Sequence, residues 1–297
     1  MISVISCSIK PDVCKKMLES VHKTIGTEYE TLIFDNREKK HGICRVYNES
    51  AKKAVGKYLC FVHEDIIFKT NGWGQELVKF STQNTDCGAI GVAGGKWANR
   101  NFISWYVPDH LIKIHDDRNN KRNYCENDLV YQYTNPNCEI FSTAVCIDGV
   151  FLFVKKDIWE KNLFDESTFK EFHFYDADFT FSISQQYQNY VYLDMDVYHF
   201  SAGNIERTYC ENMYLFQKKW KRRLPYCLPG YNVSFDEEFK MANKVFSLYK
   251  SNGVSITEIF KRIYEINGGI FLVYLFLKFT KAIYRKIHLK MKKILFD

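Results

Sequence analysis

The sequence predicts an α/β fold, a mixed but mainly parallel sheet flanked by helices, followed by a helical C-terminal extension. Three observations carry that reading. Short apolar runs and amphipathic segments alternate from the first residues to about Gly95, the order expected of strand–helix units in a wound sheet. The chain has 297 residues and is 46% apolar and 26% charged, enough to bury a substantial core. From Ser201 onward the pattern becomes mainly helical, as in "NMYLFQKKWKRRL" and "SITEIFKRIYEI".

Each element has its own signal. "ISVISCSI" reads as the first strand and "DVCKKMLESVHKTI" as a helix, with Asp12 as N-cap and Val13, Met17 and Val21 on one face. "YETLIFDN" is a second strand ending in Asp35-Asn36. "CRVYNESAKKAVG" is helical and closed by Gly56. "KYLCFV" is a third strand, running into His63, Glu64 and Asp65. "GWGQELVKFS" is a helix and "CGAIGVAGG" a fourth strand. Residues 98–140 lose the rhythm, are polar and Asn-rich, and read as a loop-rich insertion. "CIDGVFLFVKKDIW" resumes as a strand and short helix. "FYDADFTFSISQQYQN" is a helix with Asp176 and Asp178 in its first turn, and "VYLDMDVYHF" a single strand ending at His199. The expected organisation is a catalytic domain over residues 1–204 and a mainly helical region over 205–297, whose tail, 270–297, is basic and amphipathic.

Composition narrows the function. The net charge of +6 is mild, and "FQKKWKRRLP" is better read as a solvated basic helix face than as a nucleic-acid site. The ten cysteines show no CxxC and no metal-site spacing, so they read as small core residues in a reduced compartment. The start lacks the charge and apolar run of a signal peptide, and no apolar run reaches the roughly 20 residues of a span. A cytoplasmic protein is expected.

In an open α/β sheet, ligands bind outside the carboxyl ends of the strands. Asp35, His63-Glu64-Asp65, Asp148 and His199 each stand at such an end. Taken singly, each has an ordinary explanation. Asp35 and Asp148-Gly149 are turn formers and "HED" a solvated turn. Asp176 and Asp178 suit a helix N-terminus, and His199 is a core or surface histidine.

Taken in order, these segments resemble the family 2 glycosyltransferases of GT-A fold, including bacterial "glycosyltransferase family 2-like" proteins, over roughly residues 1–204. "SVISCSIK" stands where the family contacts the nucleotide, which implies donor contacts at Ser6, Cys7 and Ser8. "IFDN" implies that Asp35 touches base or ribose. "RVYNESAKKAVGKYLCFVHED" matches the approach to the family's Asp-x-Asp motif and implies donor contacts at Asn48, Glu64 and Asp65. Asp65 matches the last carboxylate of that motif, a ligand of Mn²⁺ or Mg²⁺, with His63 in place of the first Asp. "VCIDGVFLFVKKDIW" implies acceptor contacts at Asp148 and Gly149. "FYDAD" matches the family's Glu-Asp-x-Asp helix start, with Tyr175 in place of the Glu. It implies Asp176 as general base and Asp178 as a cap or acceptor contact. "VYHFSAG" implies His199 as a further metal ligand.

The activity implied is a metal-dependent inverting transfer of a sugar from a nucleotide sugar, expected to be a UDP-sugar. The implied acceptor is a glycan or lipid-linked acceptor of surface polysaccharide assembly. Two alternatives stay open. One is a GT-A-like nucleotide-sugar-binding module without activity. The other is a sugar nucleotidyltransferase, against which counts the absence of glycine from "SCSIKPDVCK". In the tail, a helical projection sets Phe276, Phe279, Ile283, Ile287, Met291 and Ile294 opposite Lys278, Lys281, Arg285 and Lys292. That pattern suits a helix lying on an anionic membrane surface, at the inner face of the cytoplasmic membrane. The sequence leaves room for an oligomer.

Overall fold

A computed structural model describes residues 1–107, 110–119, 121, 124–201, 203 and 205–270. β1 (Ile2–Ser8), β2 (Tyr29–Asp35) and β3 (Tyr58–Val62) lie parallel, with β1 between the other two. The helices α1 (Pro11–Thr24) and α2 (Ile43–Lys53) make the crossovers. Pro11 sits at the start of α1, where its missing N–H costs nothing. Cys14, Met17 and Val21 of α1 are buried beside Ile2, Val4 and Cys60.

Beyond β3 come β4 (Ile66–Phe68), α3 (Trp73–Gln83), β5 (Cys87–Gly91), β6 (Ala93–Gly95) and β7 (Trp97–Ala98). The middle of the chain adds β8 (Leu111–Asp116), β9 (Val130–Thr134), β10 (Phe141–Ala144), β11 (Cys146–Ile147), β12 (Phe151–Lys155) and α4 (Lys156–Lys161). Then follow α5 (Tyr175–Ser184), β13 (Gln188–Tyr192) and β14 (Val197–His199). Last come α6 (Arg207–Trp220), β15 (Tyr226–Cys227), α7 (Phe235–Ser251) and α8 (Ile256–Asn267).

These strands form a seven-stranded sheet ordered β10-β13-β5-β12-β3-β1-β2 and a second sheet ordered β11-β6-β8-β14-β4 with β9 on β8. A two-stranded pair, β15-β7, completes the set. β12 runs antiparallel to both β3 and β5, so its start lies beside the end of β3, with Phe151 opposite Val62. That reversal brings the loop before β12 to the edge of the sheet where β3 ends. Among the described residues, the helices of the C-terminal region pack into the same buried cluster as the sheet. Phe216 of α6 packs on Phe102, Phe174 and Phe181, and Val245 and Ile263 belong to the same buried cluster.

The structure corrects several element readings. Lys10, not Asp12, precedes the first helical residue, and Asp12 lies within the first turn. Gly56 does not close α2, which ends at Lys53. It is needed for close approach instead, since a Cβ there would fall 2.8 Å from the Ser3 backbone nitrogen. The insertion at 98–140 contains the antiparallel pair β8–β9, not only loops. "VYLDMDVYHF" is two strands in different sheets, β13 and β14. Among the described residues, no helix is long and apolar enough to cross a membrane. The tail from residue 271 lies outside the described residues.

Candidate active site

The end of β3, the start of β12, the first turn of α5 and the ends of β8 and β14 converge on one cleft of about 720 Å³, within the usual size of a small-molecule site. His63, Asp65, Asp148, Asp176 and His199 all line it. Aromatic side chains, Trp105 and Phe172 among them, form much of its remaining wall.

At the end of β3, His63, Asp65 and His199 form a group whose ligand atoms lie within 4.8 Å of one another. His199 Nε2 is 3.6 Å from Asp65 Oδ1, and its Nδ1 is 3.2 Å from Asp116 Oδ1. Burial opposes charge on this imidazole, but the Asp116 contact and the Asp65 charge outweigh it and push His199 up to about 9. Burial dominates at His63 and lowers its pKa. Burial also works against the charged form of Asp65, yet the two imidazoles hold its carboxyl below the usual range. Two imidazoles and one ionised carboxylate, gathered but not bonded into a closed network, fit a divalent cation.

On the opposite wall, Phe174 adopts a left-handed backbone, φ 66°, unusual for a bulky residue. The turn launches α5 so that Tyr175 and Asp176 meet the loop at Gly149. Gly149 N–H donates to Asp176 Oδ2 at 2.8 Å, and the Tyr175 hydroxyl donates to the Gly149 carbonyl at 3.0 Å. A Cβ at Gly149 would lie 2.1 Å from the Tyr175 oxygen, so only glycine fits there. Asp148 accepts from Val150 N–H at 2.8 Å and from the Trp105 indole N–H at 2.5 Å. Burial, followed by the neighbouring Asp148 charge, raises Asp176 to about 7. A carboxylate tuned to that range can exchange a proton near neutrality.

The remaining expected site residues fall elsewhere. Glu64 turns back to the loop after β1, accepting from Ser8 Oγ at 2.7 Å and from the Lys10 N–H at 2.9 Å. Asp35 pairs with Ser8 across β1–β2, so both sit at the same sheet edge. The Asp35 carboxylate is exposed and bound by the Arg37 guanidinium, which lowers its pKa to about 2. Ser6 is buried in β1 with its hydroxyl unpartnered, and Cys7 faces the other side of the strand, its thiol pushed up to about 11 by burial.

Two assignments are corrected. Asn48 does not face a ligand; its amide closes on the backbone of Phe164, donating to the carbonyl at 2.8 Å and accepting from the N–H at 3.2 Å. Asp178 is buried on the far side of α5 from the cleft. It accepts from Lys219 Nζ and Trp220 Nε1, each at 2.8 Å, and is neither a cap nor positioned for an acceptor.

Asp116, Trp105 and Tyr175 were missed as partners of the site. Asp116 ends β8, whose alternation "LIKIHD" is a strand signal within the polar 98–140 stretch.

Three comparisons bear on this geometry. A family model described as "Glycosyltransferase like family" matches residues 3–219. Among curated protein sequences, none matches significantly. Several solved structures are similar at low identity. GalNAc-T7 with UDP, GalNAc and Mn²⁺ is 11% identical, with a TM-score of 0.50 over 87% of this chain and 57% of that one. The mannosyltransferase PcManGT from Pyrobaculum calidifontis, in complex with GDP-Man and Mn²⁺, is 9% identical, with a TM-score of 0.49 over 85% of this chain and 75% of that one. TarS 1–349 from S. aureus is 12% identical, with a TM-score of 0.49 over 90% of this chain and 81% of that one. This chain spans a little over half of the GalNAc-T7 chain, with which it shares the GT-A fold.

Proposed function

The chain belongs to the Glycosyltransferase like family, and on that premise we propose that this glycosyltransferase is metal-dependent and inverting, with a UDP-sugar as donor. The observation that carries the reading is the shared cleft: a carboxylate raised to about 7 on one wall, and a cation-ready group of two histidines and an aspartate on the other. UDP and Mn²⁺ stand together in the fold neighbour GalNAc-T7, which supports the choice of donor and cofactor.

In this reading His63, Asp65 and His199 hold the cation. When bound, it offsets the charge that develops on the departing diphosphate. Asp176 takes the proton of an acceptor hydroxyl as that oxygen attacks the anomeric carbon. The new C–O bond forms on the face opposite the breaking one, and the nucleoside diphosphate leaves with the bonding pair. Gly149 N–H holds the Asp176 carboxylate in place. The sheet edge carrying Ser8, Asp35 and Glu64 is assigned to the nucleoside, and the Asp148-Gly149 loop to the acceptor side.

The acceptor is proposed to be a glycan or a lipid-linked sugar of surface polysaccharide assembly. The tail at 270–297 would hold the enzyme to an anionic membrane.

The test is a panel of nucleotide sugars with Mn²⁺ and sugar acceptors, followed by release of nucleoside diphosphate and by NMR of the product's anomeric centre. Inverted product with UDP release is expected. A retained anomeric configuration refutes the inverting assignment. Binding without any release favours the inactive module.

A further inference from the structure

We propose that Tyr175 and Asp116 are positioning residues that fix the tautomers of His63 and His199, so that each imidazole offers one bare nitrogen to a cation shared with Asp65. The inference rests on the metal-dependent reading above and adds what makes the site ready.

Tyr175 Oη lies 3.0 Å from the Gly149 carbonyl and 2.8 Å from His63 Nε2. A carbonyl can only accept, so the single phenol proton goes to Gly149. The phenol oxygen is then left to accept, and His63 Nε2 must donate to it. The opposite tautomer would leave two oxygens 3.0 Å apart with no proton between them. With Nε2 protonated, the neutral ring keeps its lone pair on Nδ1, for which the structure records no hydrogen bond among the described residues.

His199 is set in the same way from its other side. Its Nδ1 lies 3.2 Å from Asp116 Oδ1. That oxygen is buried and makes no well-formed hydrogen bond among the described residues, so the ring nitrogen 3.2 Å away is its close ion-pair partner, and a carboxylate can only accept. The Nδ1 proton therefore faces Asp116. With the Nδ1 proton kept toward Asp116, Nε2, 3.6 Å from Asp65 and 3.0 Å from Ser201 Oγ, is the nitrogen that gives up its proton to offer a lone pair when a cation binds. Gln132 Nε2 donates to the second Asp116 oxygen at 3.3 Å, which holds the carboxylate in its orientation. Histidine ligands of metal sites are oriented by such partners on the far ring nitrogen.

Two of the places where the sequence departs from the family pattern, His63 and Tyr175, are thus one hydrogen-bonded pair. A site offering two nitrogens and one oxygen also suits Mn²⁺ better than Mg²⁺, which prefers an all-oxygen shell.

The experiment is a Mn²⁺ titration of the full chain, read by electron paramagnetic resonance of the free ion and needing no turnover. Tyr175→Phe and Asp116→Asn are each expected to weaken Mn²⁺ binding by about 10–100-fold, with Mg²⁺ a poor competitor. Either variant binding Mn²⁺ as tightly as the wild type overturns the assignment for its histidine while leaving the metal-dependent reading intact. A wild type that does not bind Mn²⁺ overturns both. A nitrogen NMR measurement of the His63 ring in the metal-free wild type is independent of any variant. Protonated Nε2 with bare Nδ1 is expected, and the reverse tautomer overturns the proposal.

Discussion

Asp176→Asn separates the chemistry of the proposed base from its effect on the fold. The carboxyl is raised from its ordinary 3.8 to about 7 by burial and by the Asp148 charge. Its charged form is therefore disfavoured in the folded protein. Between those two values the folded state keeps a proton that the unfolded chain has released, so stability falls as pH rises across that window and stays low above it. At about 1.4 kcal/mol per pH unit, the full cost is about 4 kcal/mol for a dry site. Asp176 is partly open to a wet cleft, which screens the charge, so about 2 kcal/mol is the working figure.

An asparagine keeps the shape and carries no charge. The variant should therefore gain stability over the wild type as pH rises from 4 to 8, with a melting temperature higher by roughly 4 °C at pH 8. Turnover should fall by about 10²–10⁴-fold, while donor binding persists. Wild-type turnover should rise with pH through about 7 as the base loses its proton. Thermal unfolding at the two pH values, with turnover at pH 8, decides the matter. A stability difference that does not change with pH refutes the reasoning about burial. Full activity in the variant refutes the role.

Other expectations follow from the same contacts. Asp65→Ala should abolish the Mn²⁺ dependence of UDP binding in a folded protein, and His199→Ala should weaken it by less; calorimetry with and without the ion reads both. Asn48→Ala removes both buried bonds to the Phe164 backbone and should cost about 2–3 kcal/mol in denaturant unfolding, with nucleotide affinity unchanged. Gly149→Ala forces a methyl against Tyr175 and should cost about 1–3 kcal/mol along with activity, measured by melting and turnover together. For the tail, full chain should float with anionic vesicles, less so in high salt, whereas a chain ending at Asn267 should not.

The first half of the fold was legible because its signals are local. Each strand–helix unit shows its period within a dozen residues, and β1, β2 and β3 follow one another in sequence and lie side by side, with β1 in the middle. The second sheet was not legible, because its pairings join distant segments. β14 lies between β8 and β4, and no local pattern announces either contact. The break between β13 and β14 falls at Asp194-Met195-Asp196, whose buried methionine disguised the turn.

Motif spacing located the cleft residues along the chain but not where their side chains point. In "YDAD" a spacing of two already turns Asp176 and Asp178 to opposite sides of a helix, but it does not show what Asp178 meets there, which is Lys219 and Trp220. Asn48 fits a motif position, but its amide reaches inward. Asp116 lies against His199 from a distant strand, so no pattern around it could reveal that contact.

The contact between His63 and Tyr175 joins positions 112 residues apart in the sequence. Each residue depends on the other, because the Tyr175 oxygen, its proton given to Gly149, needs a donor, and a carboxylate at position 63 has no proton to offer it. Coupled positions of this kind do not drift independently. A lineage moving from one pairing to another must pass through a single change that is worse than both ends, or make the two changes together. In related chains the residues at these two positions should therefore vary as a set. Exchanging one of them alone between relatives should do more harm than exchanging both.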